Sequence, residues 1–208
     1  CPLRVLDVGC GPGFFSILLR KAGHSVIGID GSEEMLRHAR ENAGKQGADP
    51  EFLQMDCRNM DFPDDTFDLV LSRNVTHIFS DHCQTYGEWQ RVLKPGGVLL
   101  IFDANWHLPY VEGPIRQEAI WREAECFRLY GSNFSGGACL YEYIGSELLP
   151  ERYAALGDFH RPDFDAGILM GLGYREVSYL RDVTEKLWSE KEKLMYHATP
   201  LFMIRALK

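Results

Sequence analysis

The sequence has no C-x-x-C pair. Its six cysteines, Cys1, Cys10, Cys57, Cys83, Cys126 and Cys139, are scattered singly. That scatter argues against a zinc site or a disulfide framework and makes a reducing cytoplasm the simplest location. No apolar run approaches the roughly 20 residues of a membrane span, so no membrane partner is expected. No cationic segment precedes an apolar stretch in the manner of a secretory leader. No basic run exceeds two residues, and the formal net charge is −8. An acidic chain is a poor ligand for nucleic-acid backbone, which needs clustered Lys and Arg. Repeats and low-complexity tracts are absent. The chain opens at Cys1 without a Met, directly before a core strand, so residues upstream are expected.

What is present is enough for one domain with a sizeable core: 208 residues, 45% of them hydrophobic. The organising stretch is Val5-Leu6-Asp7-Val8-Gly9-Cys10-Gly11-Pro12-Gly13-Phe14-Phe15. A buried strand over 3–8 breaks into a glycine turn and resumes as an apolar helix over 14–22, ended by Gly23. Glycines let a ligand approach the main chain, and the free N–H groups opening the helix suit an anionic group. The spacing is G-x-G-x-G, not the G-x-G-x-x-G of dinucleotide enzymes. Asp7, closing the strand, would repel a pyrophosphate and favour a cation. A ligand carrying a carboxylate, an ammonium and a sulfonium suits both features; the alternative is a plain strand-to-helix turn.

A second buried strand over 25–30 ends in Asp30, 21 positions after Gly9. At that spacing a carboxylate reaches ribose hydroxyls, with Gly31 close beside the ligand. Ser32 caps the next helix, over 33–45, and Glu33 and Glu34 complement its positive start. Met35, in its first turn, is placed either over an adenine face or in ordinary core. A third strand over 51–55 is followed by Asp56-Cys57. There a carboxylate can accept the exocyclic amine of adenine and the Cys57 N–H can donate to a ring nitrogen, unless Asp56 is only a cap. A fourth strand, 67–71, delivers Ser72-Arg73-Asn74-Val75-Thr76-His77 to the edge where ligands bind in open α/β sheets. A helix over 81–93 and a type II turn at Lys94-Pro95-Gly96-Gly97 lead to a fifth strand over 98–103. Continuous apolar strands alternating with helices imply a mostly parallel sheet covered on both faces.

Residues 104–162 break this rhythm. They open on Asn105-Trp106-His107-Leu108-Pro109-Tyr110, include a helix over 115–130 and a Gly/Ser-rich loop, and carry Tyr141, Tyr143, Tyr153, Phe159 and His160. The stretch is too long for a crossover and too aromatic for a disordered linker, so it is expected to be a lid inserted within the single domain of 1–208. A helix over 164–171, a sixth strand over 174–180 and a seventh over 201–206 complete the pattern; residues 181–200 receive no element.

The ordered set Asp7-x-Gly9-x-Gly11-x-Gly13, Asp30, Asp56, Phe67-Asp68-Leu69-Val70 and Leu93-Lys94-Pro95-Gly96-Gly97 resembles the class I S-adenosylmethionine-dependent methyltransferases. Within them it is most similar to the small-molecule group that includes the ubiquinone and menaquinone biosynthesis enzymes. The resemblance is close over 3–103, loose over the last two strands and absent from the insertion. It implies a Rossmann-like seven-stranded sheet with the last strand antiparallel, and S-adenosylmethionine as cofactor. By the same resemblance Gly9, Cys10 and Gly11 lie at the methionine part, Asp30 at the ribose, Asp56 and Cys57 at the adenine, and the Arg73 backbone along the cofactor. Relatives usually carry helices before the first strand that help close the site.

Methyl transfer to a small molecule is the leading expectation. A sulfonium is already a good leaving group, so the protein mainly aligns the reactants and excludes water. No metal is then required. Trp106 and Tyr110 are the candidate acceptor contacts, against a core role for either. His77 is the candidate catalytic base, since an imidazole titrates near about 6.5, against a packing or capping role. Several alternatives compete. One is a cofactor-binding regulatory protein without catalysis. Another is an NAD-dependent dehydrogenase, which Asp7 and the glycine spacing oppose. A third is base methylation, opposed by charge and by Ser72-Arg73-Asn74-Val75 in place of an Asn-Pro-Pro-Tyr-like motif. Arsenic or thiol methylation is opposed by the ungrouped cysteines. The acceptor's identity, the atom methylated and the oligomeric state are not specified by the sequence.

Overall fold

A computed structural model describes residues 1–131 and 160–208. The seven strands are β1 (Arg4–Val8), β2 (Ser25–Asp30), β3 (Glu51–Gln54), β4 (Phe67–Arg73), β5 (Leu93–Asp103), β6 (Arg175–Leu180) and β7 (Phe202–Leu207). They form one sheet in the order β3-β2-β1-β4-β5-β7-β6. The first five run parallel, and β7 is antiparallel to both its neighbours. Among the described residues the α-helices are α1 (Phe14–Lys21), α2 (Glu33–Lys45), α3 (His82–Val92), α4 (Leu108–Val111), α5 (Gly113–Tyr130), α6 (Asp163–Gly171), α7 (Thr184–Leu187) and α8 (Glu190–Tyr196). Among the described residues no helix is long and apolar enough to cross a membrane.

The strand pattern follows from burial. In β1 every residue after Arg4 is buried, as a strand covered on both faces must be. The main core joins Leu6, Val8, Ile29, Val70, Leu99, Ile101 and Ile204 to Tyr86 and Trp89 of α3. Burying such apolar side chains contributes about 1.5–3 kcal/mol each before the entropy cost of ordering them. Edge strand β6 is largely exposed.

Some boundaries differ from those read in the sequence. β4 continues past Leu71 through Arg73, because Ser72 and Arg73 still find partners in Ile101 and Phe102 of β5. The tight turn at 94–97 sits inside β5: pairing jumps from Phe67↔Leu93 to Leu69↔Val98, and Gly96 has the positive φ of +79° that a type II turn requires. Residues 181–200 hold α7 and α8. The latter is opened by a capping box in which Ser189 and Glu192 serve each other's backbone N–H. Of the stretch expected as a lid, α4 and α5 are described. The expected aromatics Tyr141, Tyr143, Tyr153 and Phe159 lie outside the described residues.

Candidate active site

The sheet order places β1 between β2 and β4, so chain connections leave in opposite directions on its two sides. A crevice opens at such a switch point beyond the strands' carboxyl ends. Here it is a cleft of about 1130 Å³, lined by the residues that follow β1, β2, β3 and β4. Asp7, Gly9, Cys10, Gly11, Asp30, Gly31, Met35, Asp56, Cys57 and Arg73 all line it.

The floor is the glycine turn. Gly9, Gly11 and Gly13 all have positive φ, a conformation costly for residues with a Cβ. Gly9 has a second reason to be glycine, since a Cβ there would lie 2.3 Å from Val75 Cγ2. The turn is tied to β2: Cys10 N–H donates to the Ile29 carbonyl at 2.9 Å, and Gly11 N–H to Asp30 Oδ2 at 2.9 Å. The other Asp30 oxygen accepts from Ser32 N–H at 2.9 Å. No side chain caps α1. Burial pushes the thiols of Cys10 and Cys57 up, the latter to about 11.

Asp7 is less free than its sequence position suggests. It is 2% exposed and accepts a hydrogen bond from Ser16 Oγ at 2.6 Å. Burial pushes its carboxyl up to about 6; Ser16 opposes the shift and the Asp30 charge adds to it. Asp56 is bridged to Arg58 at 2.7 Å, and those hydrogen bonds hold its carboxyl below the usual range. Half-exposed Met35 lies at the cleft wall. The Arg73 guanidinium sits over the Phe14 ring, 5.5 Å from its centroid, and 4.0 Å from Glu192.

A second cavity, about 270 Å³, is lined by His77, Trp106, Pro109, Tyr110, Ala119, Met195, Tyr196, Ala198 and Thr199, with Asn74 common to both spaces. His77, Trp106 and Tyr110 therefore gather here, apart from the glycine turn. His77 Nδ1 lies 3.0 Å from Asp103 Oδ1, and its backbone N–H donates to Oδ2 at 3.0 Å. Because a carboxylate only accepts, Nδ1 is the nitrogen that carries the hydrogen in this contact, and Nε2 is turned away from Asp103. Trp106 Nε1 donates to the same Oδ1 at 3.0 Å, and its ring packs edge-on against Tyr196 at 5.3 Å.

Asp103 is fully buried. Burial alone would raise its carboxyl, but the charges of Arg161 and His77 and hydrogen bonds from His77 and Thr76 outweigh that and hold it well below the usual range. The roles of Asp103, Arg161, Asn74, Met195 and Tyr196 escaped sequence reading. The Ser189-x-x-Glu192 capping signature was the one local signal that a helix, and with it Met195 and Tyr196, lay there. Among the described residues no group of three or more His, Cys, Asp or Glu could hold a metal ion.

Residues 6–101 match the family described as a methyltransferase domain. The chain is 39% identical over 114 residues to a phosphatidylethanolamine N-methyltransferase of Cereibacter sphaeroides, covering 54% of each. It is 32% identical over 169 residues to a demethylmenaquinone methyltransferase of Deinococcus radiodurans, covering 74% of this chain and 66% of that protein. A solved SAM dependent methyltransferase from Aquifex aeolicus shares the fold at TM-score 0.61 and 22% identity, covering 99% of this chain and 81% of that one. The chain spans about half the length of the first curated relatives it matches.

Proposed function

We propose that this class I S-adenosylmethionine-dependent methyltransferase methylates a small molecule seated in the cavity of His77 and Trp106. The observation that carries the reading is the junction at Asn74. There a cleft built on the glycine turn meets a smaller aromatic cavity holding a carboxylate-bound imidazole.

The residues of the cleft fit the cofactor. Gly9 and Gly11 carry no Cβ to bar close approach of the amino-acid part, and both hold the positive φ that glycine tolerates. Each Asp30 oxygen holds one backbone N–H and keeps a lone pair for a ribose hydroxyl. Asp56, whose hydrogen bonds from Arg58 favour its ionised form, would accept the adenine amine, with Cys57 N–H beside it and Met35 on the wall of the same cleft. Gly31 and the Arg73 backbone complete the wall. An ammonium above Asp7 would offset a carboxylate that burial disfavours. When bound, S-adenosylmethionine supplies a methyl group on sulfonium, which needs no further activation.

The chain's own groups then align the acceptor, exclude water and take a proton. Trp106 and Tyr110 present flat apolar faces, and His77 Nε2 takes the proton from an O–H or N–H acceptor while Asp103 holds the imidazolium. The formal charge of −8 favours a small acceptor over nucleic acid. Among the described residues no disulfide joins two cysteines, which fits a cytoplasmic location.

The test is a metabolite screen with methyl-labelled cofactor. Label entering a small molecule is expected. Cofactor binding without transfer to any metabolite pool would favour a regulatory cofactor-binding protein instead.

A further inference from the structure

We propose that Arg161 is a positioning residue for proton transfer at His77, acting through Asp103. This rests on the reading that the smaller cavity is the acceptor site. Arg161 lies far from the glycine turn in sequence and is not among the residues that line the cleft. Its side chain is nonetheless fully buried beneath His77, between two carboxylates. Nε and Nη2 meet the two oxygens of Asp165 at 2.8 Å each, and Nη1 lies 3.4 Å from Asp103 Oδ2. Thr76 joins the groups: its hydroxyl donates to Asp103 Oδ2 at 2.6 Å and accepts from Arg161 Nη2. Asn105, two residues beyond Asp103, clasps the Arg161 backbone in both directions, at 2.9 and 3.1 Å.

The charge count gives this arrangement a consequence. Two buried carboxylates share one guanidinium, leaving one negative charge that protonated His77 can balance. Without a cation, burial would drive Asp103 toward its neutral form or draw a proton onto His77 permanently. Arg161 prevents both. It keeps Asp103 an ionised acceptor for Nδ1–H, so that Nε2 is the nitrogen open to the acceptor's proton. The step is a proton transfer: the acceptor's O–H or N–H proton moves to Nε2, its electron pair stays on the acceptor atom, and Nδ1–H remains on Asp103. The titratable and charged groups around the pair are Asp103 from β5, Arg161 from the chain ahead of α6 and Asp165 within it, His82 and Tyr86 from α3, Tyr110 from α4, and Tyr196 from α8 with Glu192 of α8 and Cys126 and Glu123 of α5 beyond it.

The test is long-range proton–nitrogen NMR of the full chain without ligand. The His77 resonances are identified by their loss in His77→Gln. In Arg161→Met the His77 midpoint is expected to rise by about one pH unit or more, with both nitrogens protonated near neutral pH. Arg161→Lys, which keeps the charge, is expected to stay near the native midpoint. Should Arg161→Met fail to fold, Asp165→Asn reads the same coupling with opposite sign. It leaves Arg161 wholly to Asp103 and is expected to lower the midpoint by about half a pH unit. An unmoved His77 midpoint in folded Arg161→Met, or in folded Asp165→Asn, overturns the proposal. Calorimetry with S-adenosylhomocysteine on the same samples tests the methyltransferase reading separately.

Discussion

Asp103 holds His77 at two points, by ring and by backbone: Oδ1 at 3.0 Å from Nδ1 and Oδ2 at 3.0 Å from the main-chain nitrogen. Ring and loop are therefore fixed together, which suits the general-base role proposed for His77. Once the acceptor is known, His77→Gln and His77→Ala are expected to lose on the order of 100-fold in turnover. The acid limb of the pH profile should vanish with them. Native rates with the native acid limb would leave alignment alone carrying the reaction.

Asp7 makes a pH-dependent contribution to stability. Its folded value of about 6 lies above the ordinary carboxylate value of 3.8. Between these values the folded state binds more protons than the unfolded chain, so its favourable contribution fades as pH rises through about 6. The cost at neutral pH is about 3 kcal/mol at most. Asp7→Asn, which keeps an acceptor for Ser16, is expected to raise the ligand-free Tm at pH near 7.5, with a gain that shrinks toward pH 5. A uniform loss in thermal melts across that range would contradict the assignment.

Gly9 is constrained twice, by a φ of +65° and by Val75 Cγ2 at 2.3 Å from the position a Cβ would take. Gly9→Ala is expected to cost about 1–2 kcal/mol in backbone strain, plus the displacement of Val75. Pairing it with Val75→Ala should recover the steric part alone. Denaturant unfolding of the two variants separates the contributions; full recovery in the double variant would show that conformation carries no share.

Trp106 joins Asp103 through Nε1 and the Trp188–Tyr196 cluster through its ring. Trp106→Ala is expected to lower acceptor turnover on the order of 10–200-fold. Affinity for S-adenosylhomocysteine should change little. Trp106→Phe, which keeps ring packing and loses the Asp103 hydrogen bond, should fall between. Equal loss of cofactor affinity and turnover would make Trp106 a core residue.

What sequence disclosed was what one strand end can carry. The glycine spacing, Asp30 after β2 and Asp56 after β3 are local, and the parallel sheet brings all three to one cleft. The turn at Gly96 was legible for a similar reason, whereas the antiparallel direction of β7 was implied by the family resemblance alone. The His77–Asp103–Arg161 set was not. His77 and Asp103 meet because β4 pairs with β5, and Arg161 joins them only by packing of the chain ahead of α6. Nor does the position of Asp7 at a strand end disclose that Ser16, nine residues on, turns beneath the loop to bind it. Charge placement across elements leaves no periodic trace.

Titration calorimetry with S-adenosylhomocysteine and with NADH decides whether the cleft on the glycine turn takes S-adenosylmethionine. Micromolar binding of S-adenosylhomocysteine is expected, with no heat from NADH and a loss of about 1–3 kcal/mol in Asp30→Ala, whose carboxylate would hold the ribose hydroxyls. Micromolar binding of NADH with no heat from S-adenosylhomocysteine would contradict it.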